Sequence, residues 1–125
     1  MSFPKFILGI QELNQEIQNN LDKSILLVFT ASWCGPCQKL KQHLNSTDET
    51  SSIRRLSDKL MILYIDVDED ENAELTEIYN VTGMPTQVLI KLNHDIENNR
   101  VNIEKKTEIV GCDIIKLTTE LDKHC

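Results

Sequence analysis

The chain has 125 residues, of which 40% are hydrophobic and 26% charged, and its formal net charge at pH 7 is −7. This length and composition predict a single globular domain over residues 1–125, with one hydrophobic core. The negative charge argues against nucleic acid or an anionic membrane as a partner, because both would repel it. No run of the sequence approaches the roughly 18 apolar residues that a membrane span needs.

The first residues of the chain carry no pattern of an exported protein. Met1–Gly9 contains one lysine and no apolar stretch of the length found in secretory signals. We therefore expect a cytoplasmic protein in a reducing compartment. Under those conditions the four cysteines of the chain are not expected to form a structural disulfide framework.

The first half of the chain predicts two strands and two helices. Phe3–Ile7 is expected to be an edge strand, since Pro4 is tolerated in a sheet only at an edge. Gly9–Leu21 has apolar residues at three- and four-residue spacing, which is typical of an amphipathic helix. Ile25–Phe29 is continuously apolar, like a strand covered on both faces. A helix is expected to follow over Cys34–Leu44.

A polar segment, Asn45–Ser52, then interrupts the helical pattern. We interpret this region as one long helix broken into two pieces, the second beginning at a cap near Ser51 or Ser52. A second buried strand is expected over Leu60–Ile65, ending at Asp66.

The second half predicts a helix, a hairpin and a final helix. Asn72–Tyr79 is expected to be helical. Strands are expected over Thr86–Leu92 and Lys105–Val110, joined by a long loop over Asn93–Asn102, and Gly111 leads to the last helix. The inward-facing residues of the first of these helices are predicted to be Leu75, Ile78 and Tyr79. This order of elements predicts an α/β fold with a central mixed sheet and helices on both faces.

Two thiols stand directly after the first apolar strand. Cys34 is expected at the N-terminus of the following helix, where unpaired backbone N–H groups and the helix dipole favour a thiolate. Pro36 suits the first turn of a helix, and Cys37, one turn on, faces Cys34 closely enough to close a disulfide. A zinc site is disfavoured because Cys112 and Cys125 lack the spacing of a second ligand pair, so no metal is expected.

Two short motifs, in this order along the chain, are highly specific for one protein family. Trp33–Cys37, with the sequence Trp-Cys-Gly-Pro-Cys, is followed about fifty residues later by Val81–Thr86, with the sequence Val-Thr-Gly-Met-Pro-Thr. Together they resemble the thioredoxin family. The stretches Phe29–Ser32 and Asp66–Asp68 fit the same family, and the resemblance covers nearly the whole chain. It implies the thioredoxin fold.

The resemblance also implies an activity. It predicts a thiol–disulfide oxidoreductase that reduces protein disulfides, in which Cys34 attacks and Cys37 resolves the mixed disulfide. The expected partners are disulfide-containing proteins and an electron donor similar to thioredoxin reductase, and a monomer is expected. No cofactor is expected apart from the redox-active disulfide of the protein itself.

A substrate groove is implied beside the thiols. In the family the proline of the second motif is cis and lies next to the active-site disulfide, and that role carries over to Pro85. The backbone of Met84 would then pair with an extended substrate segment. The residues expected to contact substrate are Trp33, Gly35, Pro36, Gly83, Met84, Pro85, Gly111 and Cys112. For Cys112, the alternative is a small hydrophobe that fills a gap.

Three positions depart from the family pattern. Val28 replaces a buried aspartate that relays the proton of the second thiol, Ile62 stands near the lysine that commonly pairs with it, and Gln42 replaces a helix proline. The uncharged Gly35 and Pro36 favour a reductant, because oxidants of this class stabilise the thiolate with nearby cations. The alternatives are an oxidase or isomerase of the same fold, and a non-catalytic module that binds through the groove near Pro85.

Overall fold

The structure is a computed structural model that describes residues 4–46, 48 and 51–125. These residues form five strands and five α-helices, with a short 3₁₀ helix over Asp70–Asn72. In chain order the elements are β1 (Lys5–Ile7), α1 (Gly9–Asn19), β2 (Ser24–Thr30), α2 (Gly35–Leu44), α3 (Ser52–Arg55), β3 (Leu60–Asp66), α4 (Ala73–Ile78), β4 (Thr86–Asp95), β5 (Arg100–Val110) and α5 (Ile114–His124).

The strands form one mixed sheet in the order β1-β3-β2-β4-β5. The first three pair in parallel, whereas β4 runs antiparallel to both β2 and β5. All seven residues of β2 are buried, because this strand lies in the centre of the sheet with helices on both faces. The predicted α/β architecture is therefore confirmed, and the carboxyl end of β2 leads directly into the two thiols.

Each face of the sheet has its own apolar core, and successive residues of β2 alternate between the two. The face covered by α1 and α4, here called the α1-side core, contains Ile7, Leu13, Ile17, Ile25, Leu27, Phe29, Met61, Leu63, Ile65, Leu75, Val88 and Ile90. The face covered by α2, α3 and α5, here called the α2-side core, contains Leu26, Val28, Leu40, Leu44, Ile53, Leu60, Ile62, Tyr64, Leu89, Ile109, Leu117 and Leu121.

Two predicted boundaries lie partly outside the described residues. The first strand begins at Lys5 and is an edge strand as expected, while Phe3, its predicted start, is not among the described residues. The same holds for residues 47, 49 and 50 of the polar segment. The second helical piece is confirmed but has only four residues, and the Ser51 hydroxyl accepts the Arg54 backbone N–H at 3.2 Å as its cap.

The predicted long loop over Asn93–Asn102 is wrong. Strands β4 and β5 continue past the rest of the sheet, with Asn93 paired to Asn102 and Asp95 to Arg100. Only residues 96–99 form the turn, in which Asn99 adopts a φ of 50°. Most side chains of the extension are polar, but Leu92 and Val101 pack against the α1-side core and support the backbone ladder.

The predicted inward position of Ile78 is also wrong, since its side chain is 54% exposed. Helix α4 ends at Ile78, and the core position beyond it is filled by Tyr79, whose ring lies 5.9 Å from that of Phe29. Leu75 is buried as predicted. Within the described part of the chain, no helix has the length and apolar character that a bilayer crossing requires.

Candidate functional site

The connection from β2 to α2 is held by the first turn of the helix. The Cys34 backbone N–H donates to the carbonyl of Ala31 at 3.2 Å. The Gln38 side-chain amide donates to the same carbonyl at 3.1 Å and also reaches that of Ser32, at 3.4 Å. Sequence reasoning missed Gln38, although an amide directly after the second cysteine is placed to bind this loop. The backbone before Cys34 is thereby bound both by Cys34 itself and by Gln38, the residue after Cys37.

Cys34 and Cys37 form a disulfide, with Cα atoms 5.2 Å apart. Cys34 is the N-cap of α2 in extended backbone geometry, and its sulfur accepts the backbone N–H of Cys37 at 3.3 Å. Cys34 is 6% exposed and Cys37 is fully buried. The sulfur of Cys34 therefore receives the polar N-terminus of the helix, where developing negative charge on sulfur is stabilised.

Apolar side chains surround the pair. Ala31 is buried with the two cysteines, and Val67 and Met84 pack against them. The Met84–Pro85 peptide bond is cis, as the resemblance implies. A shallow groove of about 270 Å³ runs beside Met84 and is lined by Val67, Thr76, Val81, Thr82, Gly83 and Met84. The structure thus brings the second motif against the redox pair.

Two glycines allow close packing of backbone at this groove. A Cβ added to Gly83 would lie 2.9 Å from Val110 Cγ1, too close for a side chain. The Gly111 backbone N–H donates to the Pro85 carbonyl at 2.7 Å, and its φ of +98° favours glycine. Val110 and Gly111 therefore border the segment that contains Met84 and Pro85.

The remaining motif residues lie on the surface. Trp33 is 69% exposed, and its indole N–H donates to the Asp68 carboxylate at 2.9 Å. Gly35 and Pro36 are exposed at the start of α2. These three residues form the rim around the partly accessible Cys34.

Cys112 packs in a different cluster from the one around the redox pair. It is partly buried against the α2-side core and borders a shallow cavity with Lys39 and His43. It also lies outside α5, whose N-cap is Asp113. The other free thiol, Cys125, is at the far end of α5, and burial raises its pKa.

The three departures from the family pattern fall in the fold as follows. Val28 is fully buried and Ile62 nearly so, and both belong to the α2-side core. This region therefore holds apolar contacts where the family usually has a carboxylate and an ammonium group. Gln42 is exposed on α2. No group of three or more His, Cys, Asp or Glu side chains suited to a metal occurs in the residues that the structure describes.

Comparison with known proteins gives the same family by sequence and by structure. The thioredoxin family model matches residues 5–112. Thioredoxin-1 of Drosophila melanogaster is 34% identical over 114 residues, covering 91% of each chain. Thioredoxin-T of the same organism is also 34% identical over 113 residues, and this chain spans 61% of its length.

Solved structures agree. The germline-specific thioredoxin Deadhead of Drosophila melanogaster superposes with a TM-score of 0.75 at 31% identity, with all of both chains covered. Trichomonas vaginalis thioredoxin has a TM-score of 0.73 over 96% of both chains, and at 24% identity it supports the fold alone. With a disulfide at the start of α2 and these relatives, the chain belongs to the thioredoxin family and is a thiol–disulfide oxidoreductase.

Proposed function

We propose that this protein reduces disulfide bonds in other proteins, with Cys34 as the attacking thiolate and Cys37 as the resolving thiol. The observation that carries the proposal is the asymmetry of the pair. The Cys34 sulfur accepts a backbone N–H at the N-terminus of α2 and keeps some accessible surface, while Cys37 is fully buried. Thiolates, rather than thiols, are the nucleophiles in this chemistry.

The reaction proceeds in two exchanges. The Cys34 thiolate attacks one sulfur of the substrate disulfide, so that a mixed disulfide forms and the other substrate sulfur leaves as a thiolate. Cys37 then loses its proton and attacks the Cys34 sulfur, which closes the Cys34–Cys37 disulfide and releases the second substrate thiolate. The two substrate sulfurs take up two electrons and two protons in total, and the protein pair supplies them.

The substrate chain is proposed to lie across the groove beside Met84. Gly83, Met84 and Pro85 would present their backbone to an extended segment, and Gly111 borders them through its bond to the Pro85 carbonyl. The other proposed contacts are Trp33, Gly35, Pro36 and Cys112, which surround the start of α2 or lie before α5.

The direction of the reaction follows from the residues between the thiols. Gly35 and Pro36 are uncharged, so no cation there stabilises the reduced form, and the reduced protein is a reductant. We propose that a donor similar to thioredoxin reductase returns the disulfide to the dithiol, and that the protein acts in the cytoplasm. Two further cysteines, Cys112 and Cys125, are unpaired, which is compatible with a reducing compartment.

An insulin-reduction assay tests the proposal, with dithiothreitol as the electron source. The unaltered chain should accelerate precipitation of the insulin chains. Cys34→Ser should remove the acceleration, while Cys125→Ser, the matched control at the free cysteine at the far end of α5, should retain most of it. A protein that does not accelerate reduction, or one in which Cys34→Ser is as active as the parent, contradicts the proposal.

The roles within the pair need a second experiment. Cys37→Ser should accumulate a covalent adduct with a disulfide substrate, because the mixed disulfide on Cys34 is no longer resolved. Cys34→Ser should accumulate none. If the adduct forms on Cys37 instead, the assignment of the two roles is reversed.

A further inference from the structure

Two buried oxygen atoms, one at the end of β2 and one at the start of β4, have no hydrogen-bond partner within the described ranges 4–46, 48 and 51–125. They are Oγ1 of Thr30 and Oε1 of Gln87, and each residue is only 1% exposed. The Gln87 amide nitrogen is satisfied, since it donates to the Gly111 carbonyl at 3.2 Å. Buried polar atoms are almost always hydrogen-bonded, and an internal water is a usual partner for those that lack a protein group.

The two atoms lie on the same face of the sheet. In β2, Leu26 and Val28 belong to the α2-side core, so Thr30, two residues further, points to that face as well. In the register of the sheet Gln87 lies directly opposite both Val28 and Ile109, which are members of the same core. A carboxamide and a hydroxyl thus stand in an otherwise apolar layer.

Cys37 faces this part of the sheet. The buried residues of α2 are Cys37, Leu40 and Leu44, which recur at three- and four-residue spacing and so share one side of the helix. Leu40 and Leu44 pack in the α2-side core. Cys37 is one turn closer to the helix start, at the end of the sheet where Thr30 closes β2.

We propose that Thr30 and Gln87 are positioning residues that hold a buried water, and that this water takes the proton of Cys37 during resolution. The inference rests on the proposed role of Cys37 as the resolving thiol. In the family a buried aspartate accepts this proton. Val28 has no carboxylate, so the Thr30 hydroxyl, the Gln87 carboxamide and the water would take over the proton transfer. The water can accept a hydrogen bond from the Thr30 hydroxyl and donate one to Gln87 Oε1. These two bonds orient the water so that its second lone pair points at the Cys37 thiol.

The step is balanced. The proton of Cys37 passes to the water, and the Cys37 thiolate attacks the Cys34 sulfur of the mixed disulfide. The Cys34–Cys37 bond forms as the bond from Cys34 to the substrate sulfur breaks. That sulfur leaves as a thiolate and takes a proton from the protonated water, which returns the water to its starting state.

Other ionisable groups on this face include Tyr64, Asp66, Cys112 and, at the far end of α5, Cys125. The Tyr64 hydroxyl donates to Asn45 Oδ1 at 2.8 Å, and burial raises its pKa, so it stays neutral. Asp66 is the rival acceptor, because it is the register partner of Thr30. Its side chain is partly exposed and accepts the backbone N–H of Asp68 at 3.0 Å, towards its own loop. On α2, Lys39, Lys41 and His43 lie outside the buried stripe.

The reaction of the reduced protein with dithiobis(nitrobenzoate) separates the two exchanges. This aromatic disulfide releases a coloured thiolate when Cys34 attacks it, and a second one when Cys37 resolves the mixed disulfide. The full chain carrying Cys112→Ser and Cys125→Ser serves as the parent, so that only the pair reacts. If this parent shows no second phase, the proposed role of Cys37 fails, whatever the role of the buried water.

The informative variants remove one polar atom each. Thr30→Val and Gln87→Leu should slow the second phase by about tenfold near neutral pH, less than the roughly 10²–10⁴-fold that a positioned base contributes, because bulk water partly replaces it. In both variants the second phase should also reach its half-maximal rate at a higher pH. The first phase should be unchanged. Thr30→Ser, which keeps the hydroxyl, should behave like the parent.

Asp66→Asn tests whether Asp66, rather than the water, accepts the proton of Cys37. This variant should leave the second phase unchanged. Far-ultraviolet circular dichroism and urea midpoints establish that each variant is folded. The proposal is overturned if folded Thr30→Val and Gln87→Leu both keep the parental second phase and its pH profile. It is also overturned if both phases slow equally, or if Asp66→Asn alone slows resolution.

Discussion

Helices α2 and α5 pack on the same face of the sheet and begin in the same way, but different atoms cap them. At α2 the cap is Cys34, whose sulfur accepts the Cys37 backbone N–H at 3.3 Å. At α5 the cap is Asp113, whose carboxylate accepts the Lys116 backbone N–H at 3.0 Å. In both cases an extended residue offers an acceptor to the backbone three residues on.

The difference shows how the place of a cysteine at a helix start controls its chemistry. Cys34 occupies the cap itself, so its sulfur accepts the Cys37 backbone N–H directly. Cys112 precedes the cap of α5 by one residue, and the carboxylate of Asp113 takes the equivalent N–H. A shift of one residue therefore separates a sulfur bonded to the helix from one that packs against the α2-side core.

The largest expected effect tests the packing that the two helices share. Leu40 of α2 and Leu117 of α5 are almost fully buried in the same core. Leu40→Ala and Leu117→Ala should each lower the free energy of unfolding by about 2–5 kcal/mol, through lost burial and the cavity left behind. Urea denaturation measures this. Ile115→Ala, at an 80% exposed site, is the control and should change stability by less than about 0.5 kcal/mol.

The second prediction tests the difference between the helix starts. In the reduced protein at neutral pH, iodoacetamide should modify Cys34 at least about tenfold faster than Cys112, because the helix N-terminus favours the thiolate of Cys34 alone. Mass spectrometry of the peptides gives the rate at each site. Equal rates at Cys34 and Cys112 would show that the helix N-terminus does not activate the Cys34 thiol selectively.

The third prediction concerns the cap of α5. Asp113→Ala should lower the free energy of unfolding by about 1 kcal/mol, since the Lys116 N–H loses its acceptor. Asp113→Asn retains an acceptor of similar geometry and should lose much less. The alkylation rate of Cys34 should be the same in both variants. A change there would mean that the two helix starts are coupled.

The smallest expected effect separates the two free thiols. Burial raises the pKa of the Cys125 thiol, so less of it is thiolate at neutral pH. Cys125 should therefore react with iodoacetamide a few-fold more slowly than Cys112 at neutral pH, and its rate should continue to rise into the alkaline range. A faster reaction of Cys125 at neutral pH would show that access, rather than ionisation, controls the rate.

The sequence predicts the centre of the sheet better than the β4–β5 extension. Strand β2 and the start of α2 were predictable because a strand buried on both faces must be apolar throughout, and because Pro36 and the paired thiols suit only a few local structures. The β4–β5 extension was not predicted, because the apolar residues over 91–104 are few and separated by polar ones, a weaker signal than the continuous apolar run of β2. The turn signal was present, since Asp95 binds Asn98 and Asn99 adopts a positive φ.

Single buried polar residues were the hardest to find from sequence. Thr30 and Gln87 stand at the ends of apolar runs, where a polar residue usually marks the approach of solvent. Their burial depends on the helices packed over this end of the sheet, which no local pattern reveals. Gln38 is similar, because its contact with the Ala31 carbonyl becomes evident only when the loop before α2 has its shape.

Strand β5 is an outer strand of the sheet along its whole length of 11 residues, in contrast to β1, which has three. A free edge of this length is a template on which another chain could add a strand and begin an aggregate. The edge carries Glu104, Lys105, Lys106 and Glu108, joined in two ion pairs. Pairing with a second copy would strip water from these charges, so they should help to keep the chain dispersed at high concentration.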